Sequence, residues 1–445
     1  MRFFVALASC FCLGLAEQWM PRELGRFKLG NAGFIEVFTE EDGANYLYIT
    51  TFNPALPFFH DSVYFIKNPG EMLDSVSSWA DNLEQLGGAS TAYWPNYPVY
   101  LPKEVMGFEG IVQTSGFLVP GKTNGHLEVY DTSSGVPVGP WDIAANQDHD
   151  WSYHWVVWKD VDNDGLLDAF TARFRVPLLG GDPIREFVWF KNPGDTRPEK
   201  PGNWEWQHFV QISQGPDVYF EEQILEHDGV EYSVIVTSEL WSERVMLYYV
   251  ENTPGAWAKP DNIKSVVVDD APGQPFECHM ADLNNDGKME IIASAYDTRK
   301  GNETGNLWGY EMTGDWTDAS GWKRISLASG FIANPYLFGN SMTPGKQRLF
   351  YPSVEYGQTL NELGNPPKPW IALSGDDDGV HYIMFPKSEE LDNWEYDLQV
   401  MVDTEETTAG TMAVVDLDGD GYMEIVSAGF TAGTVYVYTF APEVQ

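Results

Sequence analysis

Asp160-Val161-Asp162-Asn163-Asp164-Gly165-Leu166-Leu167-Asp168 is the first of three acidic loops in a chain of 445 residues. The others are Asp282-Leu283-Asn284-Asn285-Asp286-Gly287-Lys288-Met289-Glu290 and Asp416-Leu417-Asp418-Gly419-Asp420-Gly421-Tyr422-Met423-Glu424. Each places oxygen side chains at positions 1, 3, 5 and 9 and a glycine at 6. Carboxylate and carbonyl oxygens so spaced can surround a hard cation such as Ca²⁺, and the glycine permits the sharp turn. The expected ligands are Asp160, Asp162, Asp164 and Asp168; Asp282, Asn284, Asp286 and Glu290; and Asp416, Asp418, Asp420 and Glu424. A short apolar run follows each loop: Ala169-Phe170-Thr171-Ala172, Ile291-Ile292-Ala293-Ser294 and Ile425-Val426-Ser427-Ala428. A loop that feeds a strand instead of a helix argues against an EF-hand and for a repeated β unit.

A second phrase recurs between the loops: an aromatic strand, a turn and then a tryptophan. Val63-Tyr64-Phe65-Ile66-Lys67-Asn68-Pro69-Gly70 precedes Trp79, and Phe187-Val188-Trp189-Phe190-Lys191-Asn192-Pro193-Gly194 precedes Trp204 and Trp206. Weaker copies run through Leu127–Tyr130, Leu247–Val250, Leu307–Tyr310 and His381–Phe385. The Asn-Pro-Gly steps are turn chemistry, because Pro sets φ and Gly accepts a positive φ. Assembled, the phrases give a unit of four short strands, with the acidic loop between the first and second. Seven units start near residues 33, 87, 151, 214, 271, 331 and 404. The last is short of an outer strand, which Arg26-Phe27-Lys28-Leu29 can supply. The expected fold is therefore all-β, a seven-bladed β-propeller with four-stranded blades and calcium-binding loops, in one domain over 17–445. An open β-solenoid is the alternative.

The first residues read as a secretory signal over 1–16: Arg2, an apolar stretch too short to span a bilayer, and small residues at Gly14-Leu15-Ala16. The mature chain is expected to begin near Glu17 and to enter the secretory route. Cys10 and Cys12 leave with the signal, so Cys278 remains alone and no intramolecular disulfide forms. Asn302-Glu303-Thr304 is a glycosylation sequon in a polar loop. The chain has 26 Lys+Arg against 66 Asp+Glu, a net charge of −40. That balance speaks against nucleic acid and anionic membranes as partners and for cations. Its 17 Trp, 22 Tyr and 25 Phe are core-forming material, which a disordered acidic chain lacks.

The acidic loops before apolar strands, with their intervening Val-Trp-Phe-x-Asn-Pro-Gly phrases, resemble the FG-GAP or VCBS-type repeats of integrin-α-like propellers. That resemblance implies structural Ca²⁺ on the lower face, between strands one and two, and ligands on the upper face. On this frame His154 and His279 lie in first strands, near the channel, and the upper loops carry Phe59, Trp241 and Tyr336. Trp151, Tyr153 and His154 crowd one blade entry. No nucleophile elbow, zinc-protease helix, phosphate loop or dinucleotide fingerprint is present, so no organic cofactor is expected. The general pattern also resembles the fungal hetero-Diels–Alderases of tropolone-sesquiterpenoid biosynthesis. It implies an enzyme that directs cycloaddition of a tropolone quinone methide to a terpene polyene in an upper-face pocket. His154, Tyr153 and His279 would be its catalytic polar groups, with Trp151, Phe59, Trp241 and Tyr336 as substrate-binding walls. Two alternatives stay open: a carbohydrate-binding, lectin-like propeller, and a sugar lyase or dehydratase using a histidine with a metal.

Overall fold

The computed structural model describes residues 20–53, 61–87, 93–117, 119, 122–144, 150–177, 181–194, 206–335, 342–361 and 364–443. The described chain folds as seven four-stranded antiparallel sheets in a ring, a seven-bladed β-propeller. Blade 1 holds β2 (Ala32–Thr39), β3 (Asn45–Thr51), β4 (Ser62–Lys67) and β5 (Glu84–Gln85); blade 2 holds β6 (Pro95–Leu101), β7 (Gly110–Ser115), β8 (Leu127–Asp131) and β9 (Val138–Asp142). Blade 3 comprises β10 (Ser152–Lys159), β11 (Asp168–Arg175), β12 (Ile184–Lys191) and β13 (Gln207–Ser213). Blade 4 comprises β14 (Tyr219–His227), β15 (Val230–Glu239), β16 (Arg244–Glu251) and β17 (Lys264–Asp269). In blade 5 the strands are β18 (Gln274–Ala281), β19 (Glu290–Asp297), β20 (Thr304–Met312) and β21 (Trp322–Phe331); in blade 6 they are β22 (Gln347–Phe350), β23 (Trp370–Ser374), β24 (Val380–Pro386) and β25 (Tyr396–Asp403). Blade 7 takes β26 (Met412–Val415), β27 (Glu424–Gly429) and β28 (Thr434–Thr439) from the end of the chain and β1 (Arg22–Lys28) from its start.

The second strands are the most deeply buried, which is why they read as continuous apolar runs. All eight residues of β19 and all six of β27 are buried. Outer strands are largely open to water, as in Tyr396–Asp403, where only Tyr396 and Val402 are buried. Closure rests on β1, which pairs antiparallel with β28 from Arg22↔Thr439 to Lys28↔Thr434. Phe27 is buried beneath this seam, with its ring 5.9 Å from that of Trp79. Blade 1 departs from its siblings after β4. Residues Pro69–Asn82 form a 3₁₀ segment that drives Trp79 into the core, leaving only two residues for β5. Cys278 is fully buried in β18 and burial pushes its thiol well above its ordinary value, so it is core filler.

The Asn-Pro-Gly turns do more than reverse the chain. Each tucks against the strand-one to strand-two loop of the preceding blade. Asn45 Nδ2, beside the Asn68 turn, donates to Leu417 O at 3.0 Å in the third acidic loop. Asn192 Nδ2 donates to Val105 O at 2.9 Å in blade 2. Asn284 Nδ2 of the second acidic loop donates to Leu391 O at 3.0 Å in blade 6. At Gly70 the approach is so close that a Cβ would lie 2.1 Å from Leu417 O. Gly70→Ala should therefore pry the seam between blades 7 and 1 and cost about 1–3 kcal/mol. Gly30, with open space around its Cβ direction, serves as the control. Thermal melts of Gly70→Ala and Gly30→Ala measure the difference, and equal melting temperatures would refute the clasp.

Candidate ligand pocket

Four inner strands carry the same irregularity at their upper ends. Pairing slips between Ala32 and Ile35, Pro95 and Pro98, Tyr153 and Val156, and Pro275 and Cys278, each opposite an unbroken second strand. Two residues then face one, the count that defines a β-bulge, and a bulge re-aims side chains. The bulged pairs are Gly33-Phe34, Asn96-Tyr97, His154-Trp155 and Phe276-Glu277. Hydroxyls on the second strands restore the interrupted ladder. Thr50 Oγ1 accepts from Phe34 N at 3.0 Å, and Thr114 Oγ1 donates to Tyr97 O at 2.9 Å. Thr171 Oγ1 donates to Trp155 O at 2.6 Å, and Ser294 Oγ accepts from Glu277 N at 3.4 Å.

The bulges turn Phe34, Asn96, His154 and Phe276 toward a cavity of about 420 Å³ at the mouth of the channel. Its other walls come from loops between strands two and three and between blades, at the end of the ring opposite the acidic loops. A volume of this size suits a small organic molecule. One wall is a belt of rings. Phe430 and Phe52 lie 5.0 Å apart, Phe52 stacks on Trp94 at 4.3 Å, and Trp94 stacks on Phe117 at 5.0 Å. The belt continues through His154, 6.2 Å from Phe117, to Phe174 at 5.7 Å and then Trp241 at a further 5.7 Å. Gly33 is required here, since a Cβ would come within 2.1 Å of the Phe52 ring.

Buried carboxylates hold the belt in place. Asp61 accepts from Asn53 N at 3.0 Å and from Trp94 N at 2.7 Å, and forms a buried ion pair with Lys122 at 2.5 Å. Three loops of blades 1 and 2 are thereby tied behind Trp94, whose own φ of 56° is in the left-handed region. Asp217 does the same for blade 4, accepting from Leu240 N at 2.9 Å and Trp241 N at 3.0 Å. Burial pushes its carboxyl up to about 7.

Among the named candidates, His154 and Trp241 line this cavity. His154 is 2 % exposed and neither ring nitrogen has a hydrogen-bond partner among the described residues. Burial holds it down to about 3, so the imidazole is neutral at ordinary pH. Tyr153, its neighbour, points the other way into the core cluster of blades 2 and 3, and does not border the cavity. Burial lifts its phenol to about 12. Trp151 is also displaced from the expected wall: the guanidinium groups of Arg173 and Arg175 cover its ring at 4.0 and 4.7 Å. His279 lies outside the cavity because it is bound into a network of charges in the channel. Its Nδ1 is 2.9 Å from Glu221 Oε2, and its Nε2 is 2.9 Å from Arg348 Nη1 and 3.5 Å from Glu277 Oε1. Burial disfavours its charge, but Glu221 and Glu277 outweigh that and raise it. Phe59 and Tyr336 lie outside the described residues. Asn302 is exposed in the turn before β20.

The channel network meets the cavity at Lys346, which lines it. Burial alone would raise Glu277, yet Arg348 at 2.8 Å and His279 bring it down to about 2. Lys346 is wholly buried, bonds Glu36, and is lowered to about 8 chiefly by desolvation. Arg348, Lys346 and Glu36, with Asp61, Lys122, Asp217, Asp376 and Asp377, were not singled out from sequence. The repeat register marks where inner strands begin, but nothing in it marks which polar residue a bulge will turn inward.

The acidic loops form as their spacing implies. Carboxylate oxygens of Asp160, Asp162 and Asp168 lie within 4.8 Å of one another, as do those of Asp416, Asp418 and Asp420. Position 1 accepts from the Gly at position 6: Gly165 N to Asp160 at 3.0 Å, Gly287 N to Asp282 at 2.9 Å and Gly421 N to Asp416 at 3.0 Å. Position 9 is buried and caps position 2, as Glu290 does for Leu283 N at 2.8 Å, leaving Glu290 Oε1 without a partner among the described residues. Such an orphaned buried oxygen, facing other carboxylates, fits a cation. The three loops differ in one respect. Lys191 bonds both Asp162 and Asp164, so blade 3 already supplies a positive charge. The matching positions, just beyond Tyr310 and Tyr438, hold Glu311 and Thr439.

No family model matches the chain, and no curated protein sequence does either. Solved structures do resemble it. The Dos1 propeller is similar at a TM-score of 0.41 and 10 % identity, covering 92 % of this chain and 78 % of that one. An α-L-arabinofuranosidase from Fusarium graminearum, solved with an iminosugar inhibitor, is similar at a TM-score of 0.42 and 9 % identity, covering 94 % and 97 %. What fold and geometry define together is a seven-bladed propeller with an aromatic cavity in its upper face.

The Asp61–Lys122 pair offers a direct test of how the belt is held. Lys122→Met leaves a buried carboxylate without its cation and should cost about 3–5 kcal/mol in denaturant unfolding. The double variant Lys122→Met with Asp61→Leu should recover much of that stability. It should also alter the near-ultraviolet dichroism of Trp94, whose backbone anchor is gone.

Proposed function

We propose that this chain is a small-molecule enzyme that holds one largely apolar, unsaturated ligand in the upper-face cavity and works mainly by confinement. The observation that carries the reading is the belt of rings around an unpartnered, neutral His154. A ligand seated there gains stacking and burial, and finds in His154 one N–H donor and one lone pair. The hetero-Diels–Alderase pattern fits such a site, because cycloaddition needs no nucleophile. Holding diene and alkene in register can contribute on the order of 7–11 kcal/mol to rate acceleration. In this reading His154 orients a polar group of the ligand, and Phe52, Trp94 and Trp241 form the apolar walls.

The cavity is built from different residues in each blade, which favours this over a lectin, where one pocket would repeat around the ring. The lyase reading loses a partner, since His279 is bound into the channel network away from the cavity. The test is binding and turnover with a tropolone quinone methide precursor and humulene. Trp241→Ala should weaken ligand binding about tenfold or more through lost burial. His154→Phe should keep much of the affinity but lose product selectivity. Binding that is unchanged in Trp241→Ala would sink the cavity assignment.

We further propose that the acidic loops hold structural Ca²⁺, through Asp282, Asn284, Asp286 and Glu290 in blade 5 and Asp416, Asp418, Asp420 and Glu424 in blade 7. Asp160, Asp162, Asp164 and Asp168 would hold it more weakly in blade 3, where Lys191 competes. Bound cation stabilises the folded state by mass action. Calcium titration should thus raise the melting temperature, with a smaller rise in Glu290→Gln. Lys191→Ala should tighten one class of sites in calorimetry, and identical isotherms would contradict the role given to Lys191.

A further inference from the structure

The opposite side of the cavity from His154 is formed by a turn with three consecutive aspartates, Asp376, Asp377 and Asp378, between β23 and β24. Two of them are fully engaged. Asp377 accepts from Met342 N at 2.9 Å and from Thr408 Oγ1 at 2.8 Å. Asp378 accepts from Val380 N at 2.9 Å, Tyr382 OH at 2.9 Å and Thr343 Oγ1 at 3.2 Å. Asp376 lines the cavity, and no hydrogen bond reaches its carboxyl group among the described residues. Its backbone is fixed, with φ at 55° and its carbonyl accepting from Ala409 N at 2.8 Å and Gly379 N at 3.1 Å. The carboxyl group is thus held at the cavity wall by its main chain and left chemically free.

Two adjacent acids in a poorly solvated place do not both ionise. Burial raises both, and the donors Met342 N and Thr408 Oγ1 offset this at Asp377, so Asp377 ionises first. Asp376, with no donor among the described residues, retains the proton. Burial first, then Asp377 and Asp378, raise its carboxyl well above the usual range, in agreement with the geometry. The nearest cation does not reverse this: Lys346 follows Gly345, which packs on Asp376, but its ammonium turns to Glu36. Tyr382 bonds Asp378 instead, and His154 across the cavity is neutral. An aspartic acid that stays protonated is a hydrogen-bond donor, and an apolar pocket keeps it so. His154, 2 % exposed and likewise unpartnered in the same cavity, is the independent sign that a ligand with polar atoms belongs there.

We propose that Asp376 stands in this cavity as a neutral carboxylic acid and donates the hydrogen bond that recognises and polarises the carbonyl oxygen of an otherwise apolar, unsaturated ligand. The inference rests on the reading of the cavity as a ligand site and deepens it by naming the ligand class and the donor. A carboxylate ligand is disfavoured by Asp377, and a pure hydrocarbon leaves the donor unused. Ionisation of Asp376 with rising pH turns the donor into an acceptor, so carbonyl binding is retained below its raised pKa and lost above it.

Infrared difference spectra of the ligand-free full-length protein test the protonation itself. The difference between the wild-type and Asp376→Asn spectra at neutral pH should contain a carboxylic-acid band; its absence from that difference overturns the proposal while leaving the cavity reading intact. Binding then uses β-ionone, a neutral dienone, and its carbonyl-free hydrocarbon analogue, followed by tryptophan quenching. Asp376→Ala should weaken β-ionone about tenfold and leave the hydrocarbon unaffected. Asp376→Asn, a donor that cannot ionise, should restore β-ionone binding and abolish its decline at high pH. Equal β-ionone affinity in the wild type and Asp376→Ala refutes the donor. Failure of both probes to bind the wild type removes the cavity reading and the proposal together.

Discussion

Ring closure is the constraint on which the rest of the molecule depends. A strand edge left open in a propeller exposes unpaired amides and a blade face. Here the six hydrogen-bonded positions between β1 and β28 join the two ends of the chain and bring β2 against β26 and β27. Every blade then has two neighbours, and each inner strand meets the channel at a set height. The clasps at Gly70, Asn192 and Asn284 act at the lower rim of the same ring, tying loop to loop between successive blades. Neither device works alone, because the seam between blades 7 and 1 uses both.

Once the ring is closed, its upper rim has room for a site that no single blade could make. The bulges put their extra residues inward, and hydroxyls on the second strands absorb the broken ladder. The cost of each bulge is local, while its effect is felt at the centre, where residues from several blades converge. Asp61 and Asp217 repeat this logic one layer out. Each is a buried carboxylate that satisfies backbone amides of a loop and so aims an indole, Trp94 in one case and Trp241 in the other.

The architecture was legible because it is periodic. Acidic loops, the apolar runs behind them and the aromatic strands recur, and a recurring pattern is read from its neighbours even where one copy is degenerate. The cavity is the part that does not recur. His154 could be placed at the channel from its register, and Trp241 from its loop. Tyr153 could not be separated from His154 by spacing alone, since only the bulge decides which of two consecutive residues faces inward. Trp151 was misplaced because its cover, Arg173 and Arg175, lies on a different strand. His279 has the same strand position as a channel residue, but its partners Glu221, Glu277 and Arg348 come from three blades, and that convergence has no local signature. The Asp376 turn looks in sequence like one more acidic loop, and only its hydrogen bonding sets it apart.

The two faces of the ring use the same residue type to opposite ends. Below, carboxylates are gathered so that their repulsion is relieved by a cation or, in blade 3, by Lys191. Above, they are either consumed by backbone amides, as at Asp61, Asp217 and Asp377, or left without a donor and therefore uncharged, as at Asp376. The cavity of a chain with net charge −40 is in this way lined by rings, a neutral imidazole and a neutral acid, beside Asp377 and Lys346, whose polar ends are bonded within the wall. Neutralising some of these groups and bonding the others within the wall keeps its desolvation cost low when an apolar molecule displaces water. It also leaves the few remaining polar groups stronger, because a hydrogen bond made in a dry, low-dielectric space is worth more than one made in water.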